Sequence, residues 1–310
     1  MTRKLRLTLS CGLYELTRAL ADGEVEAKGI ELTVLTDDPF RIYSLRRLSE
    51  ADVGEFNITE YFRAREHGHP LTALPIYPHR RFRHGYYWIN TSAAIEDPSD
   101  LAGRRGGIAA TTPAAGVWMR GILQDHHDVP LDAVEWRENS LEPMGGGPAE
   151  PEPDTVTEES LLSGDVDVLL TPRIPPSFER HDPRIARLFP DHVERSIAYY
   201  RATGIFPIMH AVTIREEILE RHPWVAESLY AAFDEAKRIG YERASNPRLT
   251  PLGFFEAAWE EQRDLLGADP WEYGLGEANR RNLETIVRYT REQGRIEREP
   301  PVSELFVGVG

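Results

Sequence analysis

The sequence predicts an α/β protein of two lobes, each built on a mixed, mostly parallel sheet. Three observations support this. Short apolar or β-branched runs alternate with stretches at helical spacing, a βαβ-like order that runs through the first two thirds of the chain. The order starts afresh after residue 84, as a second unit would. The last third is mainly helical, and no internal repeat is present. The chain is expected to cross near Tyr87 and return near residues 200–212, giving one lobe from 1–87 plus 203–310, a second from 88–202, and a ligand cleft between them.

In order, residues 4–10 read as a strand because Leu5, Leu7 and Leu9 alternate with polar residues. Gly12 allows a turn, and Tyr14 to Ala21 a short helix. Residues 30–35 are a second strand, 39–50 a helix, 51–56 a short strand and 58–67 a helix. Residues 71–77 are a strand weakened by Pro75. In the second unit, 84–90 is an extended aromatic run and 106–110 a short strand. Thr112 as cap with Pro113 as first helical residue starts a helix to about Asp125. Residues 133–137 are a strand, 139–157 a Gly/Pro/Glu-rich surface loop, 158–163 a helix and 166–170 a buried strand. An extended apolar stretch at 205–214 leads to helices near 215–221, 223–245, 251–266 and 277–293.

Composition narrows the partners. The 310 residues are 41% hydrophobic, enough for one large core or two modest ones. A net charge of -15 argues against nucleic acid and anionic membrane, which need a basic footprint. It also means that an acidic ligand requires a local concentration of arginine. Cys11 is the single cysteine, so no intrachain disulfide forms. Arg6 interrupts the first apolar stretch, and its alternation has the period of a strand rather than of a signal sequence. A cytoplasmic protein is therefore expected. The helical C-terminal third offers surfaces for a homodimer.

In parallel α/β sheets, ligands sit beyond the carboxyl ends of strands. That rule selects 11–14, 55–57, 78–84, 110–112 and 171–173. The segment PHRRFRHG (78–85) concentrates His79, Arg80, Arg81, Arg83 and His84. Arginine offers bidentate donors to carboxylates, and histidine moves protons near neutrality. The same string also reads as a solvated basic loop. Thr111 and Thr112 at a helix start suit an anion, or simply cap the helix. Arg173 could clamp a carboxylate or pair with Asp165 or Asp167. His210, inside an apolar stretch, reads first as a hydrogen-bonded structural residue, and Cys11 as a small buried filler with nucleophile as the alternative. Adjacent His126 and His127 cannot face one ligand from a helix, and no metal site is expected.

Several long strings, in one collinear order, resemble the 4,5-dihydroxyphthalate decarboxylase family. They are LTLSCGLYELTRAL (7–20), PHRRFRHG (78–85), VWMRGILQD (117–125), DPRIARLFPD (182–191), YYRATGIFPIMHAV (199–212), RHPWVAESLYAAFDEAKR (221–238) and WEYGL (271–275). The resemblance runs from about residue 4 to about residue 306. It implies a periplasmic-binding-protein type II fold in a cytoplasmic enzyme of aromatic catabolism. The activity implied is conversion of 4,5-dihydroxyphthalate to protocatechuate and carbon dioxide, without a cofactor because the substrate's phenol serves as electron sink. The sequence departs from the family at Leu13, where an aspartate is common, and at 56–61, which is usually serine-rich. On this reading His84, then His79, with Arg81, are the catalytic candidates. Arg83, Asn57, Thr111, Thr112, Arg173, Tyr14 and His210 would bind a small aromatic carboxylate. The alternatives are a non-catalytic solute-binding protein for an organic acid, distinguished by failure to release carbon dioxide, and a dehydratase on the same fold, distinguished by product mass.

Overall fold

The computed structural model describes residues 3–37, 51–108, 113–139 and 156–309. The expected 39–50 helix, Thr111, Thr112 and most of the 139–157 loop lie outside the described residues. The chain divides into two α/β units. The first comprises Met1–Arg80, Ile208–Glu284 and Pro300–Gly310, and the second Arg81–Pro207 and Thr285–Glu299.

The first unit carries strands β1 (Leu5–Gly12), β2 (Ile30–Asp37), β3 (Val53–Asn57), β4 (Leu71–Leu74) and β10 (His210–Arg215) in the order β2-β1-β3-β10-β4. β1 runs parallel to β2 and β3, whereas β10 returns antiparallel between β3 and β4. β1 follows its alternation: Leu7 and Leu9 are buried while Arg6 pairs outside with Glu31 at 3.1 Å. β3 is buried at every position, as a central strand must be. Helices α1 (Arg18–Ala21) and α2 (Ile58–Glu66) follow β1 and β3. Asn57 ends β3 and starts α2: its Oδ1 accepts from the Thr59 and Glu60 amides, the N-cap bond that lets strand pass into helix.

The second unit orders its sheet β7-β6-β8-β5-β9, from β5 (Tyr87–Asn90), β6 (Arg105–Ile108), β7 (Glu135–Glu138), β8 (Val168–Leu170) and β9 (Ile185–Arg187). β6 is parallel to β7 and β8, and β5 antiparallel to β8 and β9. Its helices are α3 (Pro113–His127), α4 (Glu158–Leu162), α5 (Pro176–Glu179) and α6 (His192–Thr203). Ala115, Met119 and Leu123 recur every four residues along α3 and enter the core beside Tyr87, Ile108, Leu170 and Phe189. Truncating Leu123 to alanine there would cost about 2–5 kcal/mol.

The remaining helices are α7 (Glu216–Arg221), α8 (Trp224–Ala244), α9 (Phe255–Leu266), α10 (Glu277–Glu292) and α11 (Val302–Leu305). The division differs from the sequence expectation, which gave all of 203–310 to the first lobe. Residues 285–299 group instead with the second unit because they pack on α3. Tyr289 stands edge-on to Trp118, its hydroxyl donates to Asp125 at 2.8 Å, and Gln293 donates to the Val117 carbonyl at 2.9 Å. Gly121 makes this approach possible, since a Cβ there would lie 2.2 Å from the Tyr289 ring. The unit boundaries fall at Arg80/Arg81 and Pro207/Ile208 rather than near Tyr87 and residue 203. The 84–90 run is also not wholly extended: His84–Tyr86 forms a single 3₁₀ turn before β5 begins. Among the described residues, no helix is long and apolar enough to cross a membrane.

Candidate active site

A carboxylate buried in a central strand organises the first unit. Glu55 is 0% exposed, in the middle of β3. An ionised group there is tolerated only if it is fully hydrogen-bonded, and four donors converge on it. Its Oε1 accepts from His210 Nδ1 at 2.7 Å and from the Tyr14 hydroxyl at 2.8 Å. Its Oε2 accepts from the Gly12 amide at 2.8 Å and from the Cys11 thiol at 3.4 Å. Burial opposes ionisation of Glu55. The bonds from His210, and then those from Gly12 and Tyr14, outweigh it and hold the carboxyl below the usual carboxylate range.

Strand register explains the convergence. Ser10 pairs with Gly54, so the end of β1 brings Cys11 and Gly12 to Glu55. His210 pairs with Asn57 and Val212 with Glu55 across the antiparallel ladder, so His210, Asn57 and Glu55 share one face. Gly12 is required for the Tyr14 contact, since a Cβ would lie 2.7 Å from that ring.

With Nδ1 facing a carboxylate, His210 donates from Nδ1, and Nε2 is the ring nitrogen on the side away from Glu55. The His79 ring centroid lies 4.8 Å from that of His210 and 5.8 Å from that of Tyr14, nearly parallel to the latter at 18°. Tyr14 and His79 are both half-buried, at the border between interior and surface. Asn57 is 1% exposed; while its Oδ1 caps α2, its Nδ2 has no hydrogen-bond partner among the described residues. Burial, then Glu55 itself, pushes the Cys11 thiol well above its ordinary value, so it acts as a neutral donor rather than a thiolate.

Of the site residues expected from sequence, Tyr14, Asn57, His79 and His210 come together here. Arg81, Arg83, His84 and Arg173 belong to the second unit. Arg81 is exposed, and its Nη1 donates to the Tyr86 hydroxyl at 3.1 Å. Arg83 is 2% exposed, and burial, aided by Arg81, pulls its guanidinium down to about 9. His84 packs among Phe189, Tyr199 and His127, 1% exposed, with Nδ1 3.4 Å from the Ser196 hydroxyl. Burial, then His127, lowers it to about 3. Arg173 is exposed, and Asp167 is held by Arg105 at 2.8 Å. Arg80 is tied to Asn279 at 2.6 Å and to the Glu272 carbonyl at 2.8 Å. Glu55 was not singled out from sequence, although an acidic residue inside the run VGEFN is itself the signal. Among the described residues no group of three or more His, Cys, Asp or Glu side chains is placed to hold a metal ion.

No protein-family model matches the chain. The fold resembles that of the alkanesulfonate-binding protein SsuA from Xanthomonas axonopodis bound to MOPS, with a TM-score of 0.59 at 11% identity over 100% of both chains. It also resembles the desulfurization enzyme DSZB, in the structure of a mutant form in complex with biphenyl-2-sulfinic acid, with a TM-score of 0.58 at 17% identity over 98% of this chain and 96% of that one. These likenesses establish a type II periplasmic-binding-protein fold. In sequence, the chain is 31% identical over 213 residues to a 4,5-dihydroxyphthalate decarboxylase of Pseudomonas putida, covering 64% of this chain and 83% of that protein. It is 30% identical over 319 residues to that of Comamonas testosteroni, covering 98% of this chain and 96% of its relative. The chain thus belongs to the 4,5-dihydroxyphthalate decarboxylase family and is a carboxy-lyase.

Proposed function

We propose that this decarboxylase acts on a hydroxylated aromatic carboxylic acid of the 4,5-dihydroxyphthalate kind, and that the Glu55 cluster carries the proton transfers. The observation behind this reading is the buried Glu55–His210 pair, joined at 2.7 Å, with the His79 ring beside it. The substrate class is supported by what the relatives are named for.

Aromatic decarboxylation replaces a carboxylate by a proton on the ring. In the proposed sequence His79 takes the proton of a ring hydroxyl, and the phenolate pushes electron density to the carbon bearing the carboxylate. The imidazolium of His210 delivers a proton to that carbon from Nε2, giving a dienone. The bond to the carboxylate then breaks, its electron pair restores the aromatic ring as phenolate, and carbon dioxide leaves. His79 returns its proton to the phenolate, and His210 is reprotonated from water, so one proton is consumed per turnover. Glu55 accepts hydrogen bonds at both oxygens, so it orients His210 and counters its charge rather than acting as a base. Tyr14 stacks on His79 and limits its rotation. The Nδ2 of Asn57 is available as a donor to a substrate oxygen. The electron sink is the substrate's own phenol, so the scheme calls on no cofactor. The role first given to His84 passes to His210 in this reading, because His84 lies against aromatic rings with no carboxylate among the described residues bonded to it.

The test is incubation with carboxyl-labelled 4,5-dihydroxyphthalate and a panel of hydroxybenzoates in deuterated water. The expected result is labelled carbon dioxide and one deuteron at the vacated ring carbon. Release from none of the hydroxylated acids, or turnover of a ring lacking any hydroxyl, would refute the reading.

A further inference from the structure

The second unit contains a buried arginine that has an ion-pair neighbour but, at two of its nitrogens, no hydrogen-bond partner among the described residues. Arg120, on α3, is 9% exposed, and its Nε and Nη2 atoms meet neither solvent nor a hydrogen-bond partner among the described residues. Its ion-pair neighbour is Glu138, whose Oε2 lies 3.7 Å from Nη2, beyond hydrogen-bond reach. Glu138 is itself engaged by Arg295, which is 7% exposed. Glu138 thus lies between two buried guanidinium groups. Buried donors without a hydrogen bond are costly, and a fold that keeps them needs a reason.

The edge that lacks a hydrogen-bond partner among the described residues points to the kind of group that fits it. Nε–H and Nη2–H project side by side from one edge of the guanidinium and match the two oxygens of a carboxylate. Elsewhere in this unit the same edge is filled that way. Arg105 binds Asp167 through Nε at 3.1 Å and Nη2 at 2.8 Å. Arg184 binds Asp182 through Nε at 3.1 Å and Nη2 at 2.7 Å. Placement agrees as well. Helical side chains lean toward the helix N-terminus, so Arg120 reaches back toward Glu138. That residue ends β7 and pairs with Ile108, the last residue of β6. The carboxyl ends of parallel strands are where such sheets take ligands.

We propose that Arg120 anchors a carboxylate-binding site in the second unit, receiving a small organic acid side-on through Nε and Nη2. The site goes beyond the reaction assigned to the Glu55 cluster and needs no turnover to be seen. Its probes are phthalate and benzoate, which lack the ring hydroxyl that the reaction requires, with inorganic phosphate as the comparison anion. Calorimetric titration of the full chain should show phthalate binding that R120Q weakens by about ten- to a hundredfold, the range expected for a charge-assisted pair. R105Q should leave it unchanged, and phosphate should bind more weakly than phthalate because the small, strongly hydrated oxyanion is costlier to bury and brings no apolar surface. If R120Q fails to fold, R120K keeps the charge without the fork and should still bind more weakly than wild type. The proposal is overturned if wild type binds neither acid, if R120Q or a folded R120K keeps full affinity (Glu138 then closing on Arg120 in solution), if R105Q loses as much as R120Q, or if phosphate binds as well as phthalate.

Discussion

Each unit holds a pair of neighbouring histidines, and their surroundings differ in one respect that sets their chemistry. In the first unit His210 and His79 lie 4.8 Å apart, and His210 is bonded to the ionised Glu55. In the second, His84 and His127 lie 5.6 Å apart against Phe189, with Tyr199 beside His84 and no carboxylate among the described residues bonded to either ring. Burial lowers His84 to about 3 and His127 to about 4, so both stay neutral packing groups across the physiological range. A carboxylate at one ring nitrogen fixes the tautomer and leaves the other nitrogen to move protons; aromatic walls alone remove the charge.

The largest expected break in this comparison is catalytic. His210→Asn should lower turnover by about 10²–10⁴, the usual share of a general acid, while its circular dichroism and melting curve stay near wild type. His84→Asn, if folded, should keep its turnover; a comparable loss from His84→Asn, with full activity in His210→Asn, would reverse the assignment.

Next is acid stability. His84 and His127 have folded-state values below their ordinary 6.5, so the unfolded chain binds more protons between those limits. Their contribution is complete above about pH 6.5 and is lost as pH falls toward the folded values. Glu55, depressed below its ordinary 4.5, contributes fully above that value and loses its contribution only below it. Urea unfolding should therefore show the His84 region weakening first, by on the order of 3 kcal/mol between pH 6.5 and 4. His84→Phe should flatten that loss, and an unchanged slope would show that His84 is not its source.

Glu55→Gln keeps the shape of the side chain but offers one acceptor and an amide donor to partners that all donate. Steady-state kinetics should show kcat reduced by about ten- to a hundredfold. An unchanged kcat would leave His210 without need of its carboxylate. The smallest effect is expected at Cys11. It is 2% exposed and neutral, so Cys11→Ser should hold turnover within about threefold, a hydroxyl donating to Glu55 in place of the thiol. Loss of activity in the serine variant would mark Cys11 as a nucleophile.

Much of the architecture was legible because local periodicity decides it. Leu5, Leu7 and Leu9 alternate, Pro113 starts α3, and long amphipathic runs gave α8 and α10 to within a residue or two. β9 and α6 were not singled out, since Ile185–Arg187 is three residues long and α6 has a weak apolar stripe. The candidate site was only partly legible for a different reason. His210 and Asn57 are far apart in sequence and meet because β10 returns antiparallel beside β3, a pairing that local pattern does not encode. The dense cations of PHRRFRHG drew attention to His84, whereas the single acidic residue in VGEFN, which had to find donors to be buried at all, was the more informative anomaly.

The account is tested most directly by long-range proton–nitrogen NMR of the histidine rings as pH is lowered from 7.5 to 5. It predicts a His210 that keeps its proton at Nδ1, shifted downfield by the bond to Glu55, with His84 and His127 neutral throughout. A His210 without a proton at Nδ1, or an imidazolium at His84 within that range, would contradict it.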